Sequence, residues 1–144
     1  MTTTLRRIRL LADYYYHNCR WEDVREHEAR TFLVVPLLLA LGWAEQQLKI
    51  ELPCGQGRID VAGFRRPYRH ESKDCMLLIE TKDFSSGLDR AGGQAQRYAS
   101  DFPSCRTLLV SNGYCYKLFA GSERVRVNRV CVLKPPQSAK ALPD

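Results

Sequence analysis

Apolar residues recur along this chain with two periods, and the switches between them mark its elements. Leu5, Ile8, Leu11 and Tyr15 step by three and four, a helical stripe over residues 5–17. Trp21 to Leu41 predicts a second helix, with Val24, Glu28, Phe32 and Val35 on one face. Pro36 lacks an amide donor and crowds the preceding turn, so it should kink or restart that helix. Gly42 should end it, and Trp43 can then close over the core. The period next drops to two. Leu48, Ile50 and Leu52 alternate within a strand over residues 47–52, and residues 58–64 return from a Cys54-Gly55-Gln56-Gly57 turn. Residues 65–74 are polar, carry Pro67 and read as a loop. Residues 76–81 are almost unbroken apolar, as a central strand requires. After the break at Ser85-Ser86-Gly87, residues 88–100 carry Ala91, Ala95, Tyr98 and Ala99 at helical spacing, with Gly92-Gly93 inside. Thr107 to Val110 is a buried strand. Asn112-Gly113 is a turn signal, and residues 115–119 form its hairpin partner. Residues 124–133 alternate valine with arginine, as an edge strand does. Residues 134–144 hold three prolines and no apolar period, so they read as a disordered tail.

The order is helix, helix, three strands, helix, then strands. It predicts one α/β (α+β) domain over residues 1–133, a mixed central sheet with helices against it. A chain of 144 residues can bury a core of that size.

Two of the predicted strands carry acids where a packed sheet should not want them. Asp60 lies in the strand over residues 58–64, and Glu80 lies near the end of the strand over residues 76–81. Leu78, Glu80 and Lys82 point to one side and Leu77, Ile79 and Thr81 to the other. If the two strands pair, Asp60 can sit beside Glu80. Adjacent carboxylates repel unless a cation lies between them, and a hard divalent ion such as magnesium is the simplest one. A lysine beside such an ion suits a phosphate ester that gains charge as it is attacked. As a residue alone, Glu28 reads as a boundary acid that reaches solvent or pairs with Arg25 or Arg30.

Composition narrows the classes. The 22 basic and 16 acidic residues give a net charge of +6, which favours a polyanionic partner. No apolar run reaches the ~18 residues of a membrane span. The N-terminus lacks the apolar core of a secretory signal. The six cysteines form no C-x-x-C pair and the three histidines add no zinc spacing, so the chain reads as reduced and cytoplasmic. Cys75 and Cys131 read as small hydrophobes of the sheet. Neither a G-x-x-x-x-G-K-[ST] loop nor a G-x-G-x-x-G motif is present.

Asp60 followed by Glu80-Thr81-Lys82 resembles the PD-(D/E)XK nuclease motif, with Ile59 in place of the proline. The flanks are similar to the N-terminal nuclease domain of type I restriction enzyme R subunits. Glu28-Ala29-Arg30-Thr31-Phe32-Leu33, with Pro36-Leu37-Leu38 and Leu41-Gly42-Trp43, resembles that family's first core helix. Gly57-Arg58-Ile59-Asp60 resembles its metal-binding hairpin, Gln94-Ala95-Gln96-Arg97-Tyr98 its Q-x-x-x-Y helix, and Leu109-Val110-Ser111-Asn112-Gly113 its late strand and turn. The resemblance implies a restriction-endonuclease-like fold and a metal-dependent endodeoxyribonuclease. Asp60, Glu80 and Glu28, with the Thr81 carbonyl, would hold Mg2+ or Mn2+. Lys82 would be the catalytic lysine. Gln94, in the catalytic set, and Tyr98, in substrate binding, would be helix residues near the scissile strand, with a structural role as the alternative for both, and Arg58 would bind substrate. DNA is the implied partner, with a motor or specificity subunit of a restriction system. The phosphate loop of such a motor is absent here, so the chain reads either as a stand-alone nuclease or as a piece of a larger system. The alternative is a catalytically silent nuclease fold that binds DNA or a restriction complex.

Overall fold

The structure, a computed structural model, describes residues 2–55, 57–88, 93, 97, 99–120 and 128–131. A six-stranded sheet forms its centre: β1 (Leu48–Cys54), β2 (Gly57–Phe64), β3 (Cys75–Thr81), β4 (Thr107–Ser111), β5 (Cys115–Ala120) and β6 (Asn128–Cys131). Each strand pairs with its neighbours in sequence order, so β1 and β6 are the edges. All pairs are antiparallel except β3 with β4. That parallel pair needs a long crossover. Residues 82–106 supply it, and Gly93, Arg97 and Ala99 within it are helical. Gln94, Tyr98 and the tail over residues 134–144 lie outside the described residues.

α1 (Thr2–Asn18) buries Ile8 and Ala12 and leaves Leu10 and Tyr14 exposed. The predicted helix over residues 21–41 is not continuous. Trp21–Asp23 is a 3-10 turn, and α2 (Glu26–Ala29) begins only after it. The helix then widens into a π segment, Arg30–Val34, and resumes as α3 (Val35–Ala40). Pro36 explains the widening, because it has no N–H to return to the previous turn. The Val35 N–H bonds back five residues to the Arg30 carbonyl. The buried face is therefore Ala29, Leu33, Val34 and Leu38, while the expected Phe32 is half exposed. The C-terminus closes as predicted. Gly42 adopts φ +100°, its N–H bonds to Leu39, and the Trp43 N–H bonds to Leu38. Trp43 then lies over Gly63 of β2, where a Cβ would come within 2.8 Å of its ring.

The helix layer packs Val34 and Leu38 against Val61, Leu77, Ile79 and Tyr116 on one face of the sheet. The other face buries Phe64, Leu78, Leu108 and Val110 with Leu88 of the crossover. Leu48 and Leu52, expected on one face, pack on opposite faces, and Ile50 is exposed. The slip occurs at Glu51, a non-glycine residue at φ +52°. Opposite it Asp60 drops out of the β1–β2 pairing, although Val61 and Ile59 on either side keep it. Ile59 and Val61 accordingly face opposite sides as well. The sheet is thus deformed at the acid singled out from the sequence.

Candidate functional site

The pairing of β2 with β3 stops at Val61 and Ile79. Beyond it the side chain of Asp60 takes over from the ladder. Its Oδ2 accepts the Thr81 backbone N–H at 2.6 Å and the Thr81 hydroxyl at 2.7 Å. Its Oδ1 accepts the Arg30 guanidinium at 3.1 Å. Arg30 also donates to Glu51 at 2.9 Å, and Arg58 reaches the other Glu51 oxygen at 3.5 Å. The π segment and the kinked strand therefore meet in one charged cluster. Glu26, His27, Arg30, Glu51, Arg58 and Asp60 line a cavity of about 380 Å³ there.

Glu80 lies on the inner side of this cluster and is 4% exposed. Its Oε1 accepts the Lys82 ammonium at 2.7 Å, while its Oε2 is buried and has no hydrogen-bond partner. Burial pushes the Glu80 carboxyl above its usual range; the Lys82 hydrogen bond offsets part of this, and the charges of Asp60 and Glu26 add to it. Burial by itself would pull the Lys82 ammonium down, but Glu80, Glu26 and Asp60 outweigh it and hold the pKa above its ordinary value. Both values rise, but for opposite reasons: desolvation prevails over the pairing for the Glu80 carboxyl, and the pairing prevails over desolvation for the Lys82 ammonium. Lys82 is cationic at neutral pH. Its N–H bonds to the Ser111 carbonyl and carries the β3–β4 ladder one residue further.

The exit from β3 is held from below. Phe84 is fully buried, 4.7 Å from Tyr114 and edge-on to Tyr15 and Trp21. Its N–H bonds to the Val24 carbonyl. Asp83 accepts the Glu26 N–H at 2.8 Å and so caps α2. These contacts set the start of α2 over the strand end that carries Glu80 and Lys82.

The helix acid that faces the cluster is Glu26. Burial raises its pKa, and Asp60 is the next cause. Glu28, the acid picked out by the resemblance, is used elsewhere. Its Oε2 accepts the Arg25 backbone N–H at 2.6 Å, half of a capping box at the third position of α2. Its charge acts on Tyr15, and it is not among the cavity residues. In this geometry Glu26, and not Glu28, faces the cavity. Helical spacing could not distinguish the two, because the helix begins at Glu26 and not at Trp21. Thr81, expected to offer its carbonyl, meets Asp60 through its N–H and hydroxyl. Glu26, Arg30, Glu51 and Asp83 were missed. No periodicity set them apart, and Arg30 itself follows the polar run over residues 25–28.

The donors suit a hard divalent ion. A buried carboxylate oxygen without a partner costs several kcal/mol unless something neutralises it. Glu80 supplies such an oxygen beside Asp60. Among the described residues, no three His, Cys, Asp or Glu side chains converge as a full ligand set. Magnesium is commonly held by one or two carboxylates, with water and substrate phosphate completing the shell, so two carboxylates suffice.

No protein-family model matches the chain, and no curated protein matches it. Among solved structures, it resembles a fragment described as an HsdR subunit of a type I restriction enzyme from Vibrio vulnificus YJ016. The TM-score is 0.57 at 16% identity, over 73% of this chain and 22% of that one. The fold is restriction-endonuclease-like. At this identity the likeness concerns the fold, and the chain spans less than a quarter of the structure it matches. Among the described residues no helix is long and apolar enough to cross a membrane.

Proposed function

We propose that this chain is a magnesium-dependent endodeoxyribonuclease of the PD-(D/E)XK type, acting in the cytoplasm within or beside a restriction system. The observation that carries the reading is Glu80 Oε2, a buried, unpartnered oxygen of a carboxylate whose other oxygen accepts Lys82 and on which the charge of Asp60 acts. Asp60 and Glu80 would hold the ion, with Mn2+ as a substitute and Glu26 in support. When bound, it would supply Lewis-acid neutralisation of a phosphate and lower the pKa of a bound water. The chain's own residues do the remainder. Thr81 fixes the Asp60 carboxylate with two donors. Glu80 holds the Lys82 ammonium at the strand end, where its charge can meet the growing charge of a pentavalent phosphate. Arg58, two-thirds exposed at the rim, can take a neighbouring phosphate as a bidentate donor. The resemblance would put Gln94 and Tyr98 near the scissile strand.

Nicking of supercoiled plasmid tests this. Wild type should nick in Mg2+ and stop on chelation. Lys82→Met should fail to cut while it still binds DNA and still gains melting temperature from Mg2+. Its charge serves the transition state more than the ground state. Wild-type cleavage rates in Lys82→Met would sink the mechanism. One observation favours the second reading, a silent DNA- or complex-binding module. Arg30 already neutralises Asp60, so that acid has a cation without any metal. In that case Mg2+ would neither shift melting nor support nicking.

A further inference from the structure

A second cluster of reactive groups lies at the start of β3, the opposite end of that strand from Lys82. Cys75 opens β3 and is 1% exposed. Cys105 is half-buried and stands just before β4, the strand paired in parallel with β3. Both pack in the core on the same face of the sheet. The neighbour of Cys105 ties the two segments together. The Ser104 hydroxyl lies 3.2 Å from the Cys75 carbonyl and 2.6 Å from the Lys73 carbonyl, within hydrogen-bonding reach of both. The Cys75 thiol donates to the Leu77 carbonyl and the Cys105 thiol to the Thr107 carbonyl, and the β3–β4 register that pairs Leu77 with Thr107, extended two residues back, sets Cys75 opposite Cys105. The backbone can therefore accept a bond between them without a large shift.

Cys105 is the partly exposed member of the pair. A cavity of about 760 Å³ is lined by Asp74 and Ser104, the residues that precede the two cysteines. Arg66, Arg69 and Lys73 lie on its wall with Glu71. Three cations against two carboxylates favour a small anionic reagent.

We propose that Cys75 and Cys105 form a thiol–disulfide exchange site, oxidised by an anionic low-molecular-weight disulfide of the glutathione type to a clip between β3 and the segment before β4. The steps balance. The Cys105 thiolate attacks one sulfur of the reagent, forms a mixed disulfide and expels one reagent thiolate. Cys75 gives up its proton to solvent and attacks the Cys105 sulfur. That breaks the mixed disulfide and expels the second reagent thiolate. Two cysteine thiols are oxidised and one disulfide is reduced to two thiols. Exposure assigns the order, since Cys105 is half-buried and Cys75 is 1% exposed. The electrostatics agree: the neighbouring Cys75 is the largest influence on Cys105 and, against burial, lowers its pKa to about 7, whereas Cys75 is held well above the thiol range. Cys105 is thus the attacking thiol and Cys75 the resolving one.

The full chain, reduced and then exchanged into oxidised glutathione near neutral pH, tests the proposal by intact mass and peptide mapping. Wild type should lose two hydrogens and yield a Cys75–Cys105 peptide, with a rise in Tm that dithiothreitol reverses. Cys75→Ser should stop at one glutathionyl group on Cys105. Cys105→Ser should form neither species at this pair. Cys75→Ala gives a second resolving-site variant if serine is poorly tolerated in the core. A wild type in which Cys75 and Cys105 remain open to alkylation after treatment overturns the proposal. So does a persistent adduct on Cys105 in wild type, or a disulfide mapped to other cysteines in their place.

Discussion

Arg30→Met probes the charged cluster most directly. The guanidinium bridges Asp60 at 3.1 Å and Glu51 at 2.9 Å, and the Arg30 and Asp60 side chains are each only 12% exposed. Removing one partner of a buried ion pair typically costs about 3 to 5 kcal/mol, because the other charge stays buried. Here two features reduce the loss. Asp60 keeps both Thr81 donors, and Glu51 is half exposed and keeps Arg58. The expected loss is about 3 kcal/mol, a fall of about 10 °C in Tm for a domain near this size. Methionine preserves much of the apolar stem, so most of the change is electrostatic. Magnesium then gives the discriminating arm. With Asp60 released, the ion should bind about tenfold more tightly, so saturating Mg2+ should return about 1.4 kcal/mol more in the variant than in wild type. Chemical denaturation with and without Mg2+ measures both quantities. A loss under about 1 kcal/mol would show that Arg30 is not the counter-ion of Asp60. An Mg2+ rescue no larger than in wild type would show that the ion and the guanidinium do not compete for this carboxylate.

The remaining predictions concern the acids, the packing and the partner. Glu28→Ala should cost about 1 kcal/mol through the lost cap and leave cleavage intact, whereas Glu26→Gln should leave stability within about 0.5 kcal/mol and weaken Mg2+ binding measured by calorimetry. The reverse pattern would restore Glu28 to the acid set. Gly63→Ala places a Cβ 2.8 Å from the Trp43 ring and should lower stability by about 1 to 3 kcal/mol in urea unfolding. Duplex DNA should bind with an affinity that falls about a hundredfold for a roughly fourfold rise in salt, as about four neutralised phosphates require. Salt-independent binding would exclude the arginines as the contact.

Much of this architecture could be read from the chain because it follows from local chemistry. The apolar runs placed the first five strands to within a residue or two, although the alternation expected of β1 breaks at Glu51, and the strand expected over residues 124–133 lies partly outside the described residues. Gly42 marked a helix end because a left-handed terminal residue is cheapest there. Asp60, Glu80 and Lys82 stood out because charge inside an apolar strand is costly wherever the strand lies. What the sequence could not settle depended on contacts between distant segments. The helix start at Glu26 rests on Asp83, 57 residues away, which caps it. That contact brings Glu26 to the cluster in place of Glu28. The slip of β1 and β2 at Glu51 and Asp60, and the clamp of Arg30 on both, arise only when the π segment meets the sheet. The same is true of Cys75 and Cys105. They stand 30 positions apart, and only the parallel joining of β3 to β4 brings them together. Periodicity reports which face a residue takes within its own element, whereas a site is made where faces of different elements converge.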